Sequence, residues 1–326
     1  MWRSRANVVD FGVVRRKLSS AASNLAKRAG NLFSRGGSCR ATRRLAMTTS
    51  ASNSVWDRHA QQWNRVGYPL RPSARDGELM MELVKPALEQ NGDPARVAIL
   101  GVTREVVALP WPAGTTLLAF DQNAEMIAKV WQPAVHLHST AIQATWRRLP
   151  LPDHSLRLIV GDGSFTCLAG LSDLSRVMAE LARVLEPEGI VCVRCFLRPD
   201  VAETLDELYA NTCAGKIAGF HALKLSIGMS LARPPEFRVP VVDILQAFER
   251  MFSDRRALAM MTDWPVESID TIDAYRGADV SYNFPTLAAF QSTIAPWFDF
   301  DHIAYVDADV AKRCPTMRLR IAPRWK

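Results

Sequence analysis

The sequence predicts an α/β fold: a mostly parallel sheet with helices on both faces. Three observations lead to this fold class. Short apolar runs with strand-like composition alternate with segments of helical periodicity. The runs are apolar throughout rather than at every second position, as expected for parallel strands covered on both faces. The alternation of strand and helix is typical of βαβ units. The central strands are predicted at residues 96–101, 115–121, 156–161 and 189–196.

The elements follow in order along the chain. Residues 76–89 predict a helix interrupted near Pro86, because proline lacks the amide that the helix needs. Apolar positions at helical spacing predict helices at 124–131 and 173–185, and a weaker third strand is predicted at 134–139. Beyond residue 200 the pattern becomes mainly helical, with two strands at the end of the chain. These elements are predicted at residues 201–214, 241–252 and 286–295 for the helices, and at 300–306 and 317–321 for the strands.

The charge of the chain is concentrated at its N-terminus. The 326 residues carry a net charge of +7, but residues 1–46 contain eleven basic residues and one acidic residue. The remaining 280 residues therefore have a net charge of −3, which argues against nucleic acid as a partner of the folded part. The extension is basic and Ser-rich, as in a mitochondrial transit peptide. Two alternatives stay open: a start of translation at Met47, or a basic arm that binds lipid or RNA.

The composition excludes several other classes of protein. Hydrophobic residues make up 48% of the chain, and no apolar run approaches the roughly 18 residues of a membrane span, so a soluble protein is predicted. Six cysteines in 326 residues are too few for a disulfide scaffold. Cys192 and Cys195 have C-x-x-C spacing, but positions three apart on a strand face opposite sides. No metal site is predicted.

Two strand ends carry the residues that a nucleoside ligand needs. The first strand ends at Gly101, where backbone amides can approach a ligand closely. The second ends at Asp121, twenty residues later, which is the spacing of a carboxylate that binds a ribose diol. A capping role is the alternative for Asp121 alone. The spacing from Gly101 favours the binding role.

Five segments in order then resemble the motifs of class I S-adenosylmethionine-dependent methyltransferases. They are VAILGVTRE (97–105), LAFDQNAEMI (118–127), ATWRRLPLPD (144–153), LIVGDG (158–163) and LARVLEPEGIV (181–191). The resemblance implies a Rossmann-like fold with a seven-stranded sheet and a helical insertion between strands five and six. It also implies S-adenosyl-L-methionine (SAM) as the cofactor. The cofactor-binding residues that it implies are Gly101, Val102, Thr103, Glu105, Asp121, Gln122, Met126, Thr145, Trp146 and Asp162.

The first and third motifs depart from the family pattern. Ile99, Thr103 and Glu105 stand where the family usually has an acid and two further glycines. Glycine is favoured there because it allows positive φ and close approach to a ligand, so an altered loop is expected. Glu105 is expected to answer the positive charge of the cofactor. Trp146 follows Thr145 in the third motif, and stacking on adenine or a core position are the two interpretations for its indole.

The resemblance also implies an N-terminal lid and an acceptor side. Lid candidates are Trp56, Trp63, Tyr68 and Arg71, with a packed N-terminal helix as the alternative. Methyl transfer needs alignment and sometimes a base. Asp162 and His221 are the candidate catalytic residues; their alternatives are a turn cap for Asp162 and a structural role for His221. Lys224 lies in the same acceptor-side region.

These inferences predict a methyltransferase that acts on a small molecule. The alternative is a non-catalytic SAM-binding protein that keeps the fold, which the altered first motif favours. The missing G-x-G-x-x-G argues against a dinucleotide enzyme. A cytoplasmic location is expected, or a mitochondrial one if residues 1–46 are a targeting segment. The predicted division is an extension at 1–53 and one domain at 54–326, with its cofactor half at 95–196, an acceptor-side insertion at 200–298 and terminal strands at 299–326.

Overall fold

A seven-stranded sheet organises the chain. The computed structural model describes residues 49–89, 94–306 and 311–323, so the charged segment 1–46 lies outside the described residues. The strands of this sheet are β1 (Arg96–Leu100), β2 (Thr116–Asp121), β3 (His138–Gln143), β4 (Leu156–Asp162), β5 (Leu185–Arg194), β8 (Phe298–Ala304) and β9 (Thr316–Ile321). Their order is β3-β2-β1-β4-β5-β9-β8; the pairs from β3 to β5 are parallel, and β9 runs antiparallel to both β5 and β8. The predicted fold class is confirmed.

Helices cover both faces of this sheet, and more of them form the segment between β5 and β8. That segment also contains a small antiparallel pair, β6 (Arg238–Pro240) and β7 (Ser281–Asn283). The helices are α1 (Thr49–Gln61), α2 (Ala74–Leu88), α3 (Arg104–Val107), α4 (Ala124–Val130), α5 (Leu171–Val184), α6 (Leu205–Cys213), α7 (Phe220–Leu231), α8 (Val241–Met251), α9 (Arg255–Thr262), α10 (Val266–Ile269) and α11 (Leu287–Ile294).

The central strands are buried on both faces, as their apolar sequences predict. Along β1, Val97 and Ile99 pack in the cluster that contains α2, whereas Ala98 and Leu100 pack in the cluster that contains α5. This alternation is the two-residue period of a strand. A third cluster joins α1 to the helices between β5 and β8.

Cys192 in β5 and Cys195, which directly follows the last residue of β5, show the same alternation. Cys192 packs in the α2 cluster and Cys195 in the α5 cluster, so the two thiols face opposite sides of the sheet. Both side chains are buried and neither forms a disulfide. Burial raises the pKa of Cys192 to about 12.

Several element boundaries differ from the prediction. Helix α2 continues through Pro86 instead of breaking there. A capping box between Ser73 and Asp76 secures its first turn, and Leu83, Val84 and Ala87 are buried around the proline. The third strand was predicted at 134–139 but lies at His138–Gln143. It is an edge strand and half exposed, so its sequence lacks a continuous apolar run.

Helix α7 was not predicted. All of its residues except Leu231 are buried, including His221 and Lys224. A helix that is buried on nearly every side needs no polar face, so its sequence shows no helical periodicity. In the described part of the chain, every helix is too short or too polar to cross a membrane.

Candidate functional site

A cavity opens at the carboxyl ends of β1, β2 and β4. It encloses about 1200 Å³ of empty space, including its open mouth. This end of a parallel sheet is where ligands bind in open α/β folds. Nine of the ten residues expected to bind the cofactor line the cavity: Gly101, Val102, Thr103, Asp121, Gln122, Met126, Thr145, Trp146 and Asp162.

The loop after β1 shapes one wall of this cavity. Gly101 has a φ of +98°, a conformation that favours glycine, and its amide donates to the Phe120 carbonyl at 2.9 Å. A Cβ at Gly101 would come within 4.0 Å of Asp121 Oδ2, so the loop lies directly beside that carboxylate. Thr103 precedes α3 and its hydroxyl makes no capping hydrogen bond. In this loop Gly101 has positive φ, whereas Thr103 and Glu105, at the positions of the family's further glycines, do not.

Asp121 ends β2 and is fixed by the start of the next helix. Its Oδ1 accepts a hydrogen bond from the Asn123 amide at 2.8 Å. Asn123 in turn caps α4 by accepting from the Met126 amide at 2.7 Å. Burial raises the pKa of Asp121 to about 6, although the Asn123 hydrogen bond opposes this shift. The capping group is thus Asn123, which leaves the Asp121 carboxylate facing the cavity.

Trp146 is held in place by the backbone of β2. Its Nε1 donates to the Phe120 carbonyl at 2.7 Å, and the indole lines the cavity while also packing on the α5 cluster. Arg147, the next residue, pairs with the buried Asp173 at the start of α5. The indole of Trp146 therefore lines the cavity on one side and contacts the core on the other.

Glu105 does not line this cavity. Arg71 Nε donates to its Oε1 at 2.7 Å, in an ion pair between α3 and the segment that follows α1. Its carboxylate instead borders a smaller cavity near Pro72 and Asp76. The role of Glu105 toward the charge of the cofactor stays a prediction; in this structure its carboxylate is paired with the Arg71 guanidinium.

Asp162 lines the cavity as part of a buried ion pair. Its Oδ1 accepts from Arg194 Nε at 2.5 Å, and both side chains are almost fully buried. Arg194 also donates to the Pro69 carbonyl at 2.7 Å. Burial opposes the charge of Arg194, but the Asp162 carboxylate raises the pKa of the guanidinium above its ordinary value. The pair ties β4 to β5 and to the segment after α1.

The second candidate catalytic residue lies outside the cavity lining. His221 is buried in α7, and its Nε2 lies 3.0 Å from the Arg65 carbonyl. Burial, aided by the positive charge of Lys224, lowers the pKa of His221 to about 3. The catalytic role of His221 stays a prediction; in this structure its ring contacts the backbone at Arg65.

The segment around α1 supplies a wall that the lid prediction covers only in part. Trp56 and Trp63 line the cavity, whereas Tyr68 and Arg71 do not. His59 lies between the two tryptophans and also lines it. Its spacing of three residues from Trp56 on one helix is the signal that would have found it.

Two further cavity residues, Tyr275 and Tyr282, come from the insertion between β5 and β8. They are distant in sequence from the motifs, and no local pattern marks them. Within the described residues, no group of His, Cys, Asp and Glu side chains is placed to hold a metal ion.

Comparison with known proteins agrees with this geometry. Residues 100–193 match the family described as "Methyltransferase domain". The matched residues include the loop after β1 with Gly101, the end of β2 with Asp121, and most of β5. Residues 100–193 therefore resemble a methyltransferase domain. None of the curated proteins matches the chain.

Several solved structures are similar to the chain at low sequence identity, and the first of the three described here shares its fold. One is described as a putative Zn-dependent alcohol dehydrogenase from Rhodobacter sphaeroides; it is 13% identical, with a TM-score of 0.55 over 84% of this chain and 100% of the other. The CcbJ methyltransferase from Streptomyces caelestis is 13% identical, with a TM-score of 0.49 over 83% and 99% of the two chains. The N-methyltransferase NodS from Bradyrhizobium japonicum, in complex with S-adenosyl-L-homocysteine, is 10% identical, with a TM-score of 0.42 over 83% and 99%.

The residues of this cavity fit SAM by their chemistry. The Asp121 carboxylate suits the ribose diol, and the apolar side chains of Met126 and Trp146 suit a flat adenine. The backbone of Gly101 leaves space for close approach. Besides these motif residues, the lining includes Trp56, Tyr275 and Tyr282 from outside the motifs.

Proposed function

We propose that this protein transfers the methyl group of SAM to a small molecule. The observation that carries the proposal is the convergence of nine motif residues, far apart in sequence, on one cavity that also has aromatic walls. SAM supplies a methyl group already activated by its sulfonium. The protein then has to bind, align and exclude water.

The chain's residues divide this work between them. Asp121 and the Gly101 loop bind the cofactor, and Asn123 fixes the orientation of Asp121. The Asp162–Arg194 pair holds the β4 end rigid, because a buried guanidinium and carboxylate restrict each other. Trp56 and Trp63 close the cavity from the side of α1.

A small acceptor is supported by the shape and charge of the site. The cavity is concave and mainly apolar, which suits a ligand that is largely enclosed. Arg147, the lining residue with a basic side chain, is already paired with Asp173. A nucleic-acid acceptor would need a basic surface around the mouth, whereas the chain beyond residue 46 has a net negative charge.

The test is calorimetric titration of the full chain with SAM and S-adenosyl-L-homocysteine. We expect micromolar binding that Asp121→Ala weakens by about 10-fold or more, because a charged hydrogen bond contributes about 1.5–3 kcal/mol. Asp299→Ala, an exposed aspartate on β8, is the matched control and should leave the affinity unchanged.

Two results contradict the proposal in different ways. Absence of binding to folded protein would overturn the cofactor assignment. Binding without turnover of any acceptor would instead favour the non-catalytic SAM-binding alternative.

A further inference from the structure

Part of the cavity lining is a cluster of aromatic rings contributed by α1 and by the insertion between β5 and β8. Trp56 and His59 of α1 lie 5.3 Å apart by ring centroids, and His59 lies 5.9 Å from Tyr275. Tyr282 lies 5.7 Å from Tyr275 and 6.4 Å from Trp56. All four side chains line the cavity. We call these four rings the aromatic wall; flat faces and edges of this kind pack well against another ring.

The polar groups of the aromatic wall are uncharged. His59 Nε2 lies 3.4 Å from Tyr282 Oη. Burial lowers the pKa of His59 to about 3, and the nearby positive charges of Lys224, His221 and Arg58 act in the same direction. His59 therefore offers hydrogen bonds as a neutral imidazole.

A buried amine lies directly behind this wall. Lys224 is fully buried, and its Nζ has no hydrogen-bond partner within the described residues. The nitrogen faces rings instead, at 5.1 Å from the centroid of Tyr275 and 5.9 Å from that of Phe220. Burial lowers the pKa of Lys224 to about 7. A buried, unpaired amine is costly, and its field favours negative charge on a neighbouring group.

Two acidic side chains line the same cavity: Asp121 beside the Gly101 loop, and Asp162, which is paired with Arg194. None of the four residues of the aromatic wall carries a carboxylate, so a cationic amine acceptor packed on them would meet the positive field of Lys224. A neutral acceptor that becomes negative as it reacts gains from the same field.

We propose that the aromatic wall holds the methyl acceptor and that this acceptor is an aromatic hydroxyl compound; the inference rests on the proposed function. The ring packs on Trp56, Tyr275 and Tyr282, and the hydroxyl donates a hydrogen bond to His59. Lys224 touches neither ligand and acts as a positioning residue through its field.

The reaction balances with these parts. The acceptor oxygen forms a bond to the methyl carbon, and the carbon–sulfur bond breaks with its electron pair remaining on sulfur. The hydroxyl proton is lost to bulk solvent as the carbon–oxygen bond forms. His59 stays neutral and orients the hydroxyl by accepting its hydrogen bond. The products are an aryl methyl ether and S-adenosyl-L-homocysteine.

The binding test uses 2-naphthol as the probe with the full chain saturated with S-adenosyl-L-homocysteine. Two matched probes keep the ring and change the nucleophile: 2-methoxynaphthalene, which lacks the proton, and 2-(aminomethyl)naphthalene, which is cationic. We expect 2-naphthol to bind at least 10-fold more tightly than either. His59→Phe and Tyr282→Phe keep a ring in place and should reduce this preference below 3-fold. His136→Phe, at an exposed histidine outside the cavity, is the control and should leave it unchanged.

The kinetic test addresses Lys224. In methyl transfer to 2-naphthol, Lys224→Met should lower kcat by 10-fold or more, leave KM for SAM within 2-fold and remove a titration near pH 7 from the kcat profile. The groups facing Lys224 are His59 on α1, His221 on its own helix and Tyr275. The pKa of each histidine is about 3, so neither accounts for a titration near pH 7.

Failure of this inference is distinguishable from failure of the proposed function. If S-adenosyl-L-homocysteine does not bind, the proposed function is overturned before any naphthol is added. If it binds but 2-naphthol has no preference, or if His59→Phe and Tyr282→Phe both retain that preference, the aromatic hydroxyl assignment is wrong. If the pH profile of kcat is unchanged in Lys224→Met, Lys224 has no positioning role in the reaction.

Discussion

The ribose-binding candidate Asp121 should lower the stability of the ligand-free protein. Its pKa of about 6 lies above the ordinary 3.8, so the folded state binds the proton more tightly than the unfolded state does. The stability that this protonation contributes is complete below pH 3.8 and is lost as the pH rises through 6. Above pH 6 the raised pKa of Asp121 lowers the free energy of unfolding by about 3 kcal/mol, at about 1.36 kcal/mol for each unit by which the pKa is raised. Asp121→Asn cannot ionise and keeps an oxygen for the Asn123 amide.

We therefore expect Asp121→Asn to raise the free energy of unfolding without ligand by about 3 kcal/mol at pH 7.5 and about 1.5 kcal/mol at pH 5. Urea denaturation of both proteins at the two pH values measures this difference. Asp299→Asn, on the exposed part of β8, should change stability by only a few tenths of a kcal/mol. An Asn variant that is no more stable than the wild type at pH 7.5, or a gain independent of pH, would refute the reasoning.

Three further substitutions test the site. Arg194→Met leaves the Asp162 carboxylate buried without its partner and should reduce the free energy of unfolding by about 3–5 kcal/mol in urea denaturation. The double variant Arg194→Met with Asp162→Asn should recover most of this loss. Glu105→Gln should change SAM affinity by less than 3-fold in calorimetry, because Glu105 pairs with Arg71 outside the cavity; a 10-fold loss would contradict this placement. Lys224→Met should raise the free energy of unfolding by several kcal/mol at pH 6 and by less at pH 9, as measured by urea denaturation. The reason is that the lowered pKa of Lys224 makes its charged form costly in the folded protein below pH 7. An equal gain at both pH values would argue against the buried charge.

Much of the cofactor half could be predicted because its signals are local. The turn at Gly101 requires positive φ, and Asp121 follows a strand whose burial appears directly as an apolar run. Parallel strands bring their carboxyl ends to one edge of the sheet, so the spacing of Gly101 and Asp121 already placed them together. Thr145 and Trp146 reached the same cavity by the same topology.

The contacts of the Glu105 and His221 side chains could not be predicted from the sequence. Glu105 lies near the cofactor loop in sequence, but the direction of a helical side chain decides what it contacts, and here that contact is Arg71. His221 was correctly placed in the insertion, yet it turns to the Arg65 carbonyl. Helix α7 itself escaped prediction because burial on every side removes the periodicity that identifies a helix.

The sequence by itself determined the fold class, the order of the motifs and the cofactor edge of the sheet, because backbone geometry and strand burial are local properties of the chain. Only the tertiary structure decided the other side of the cavity. His59 lies more than 200 residues before Tyr275 and Tyr282 in the chain, and Lys224 reaches them from a helix that is buried on nearly every side. Their assembly depends on long-range packing of apolar surfaces, which is non-directional and leaves no spacing in the sequence.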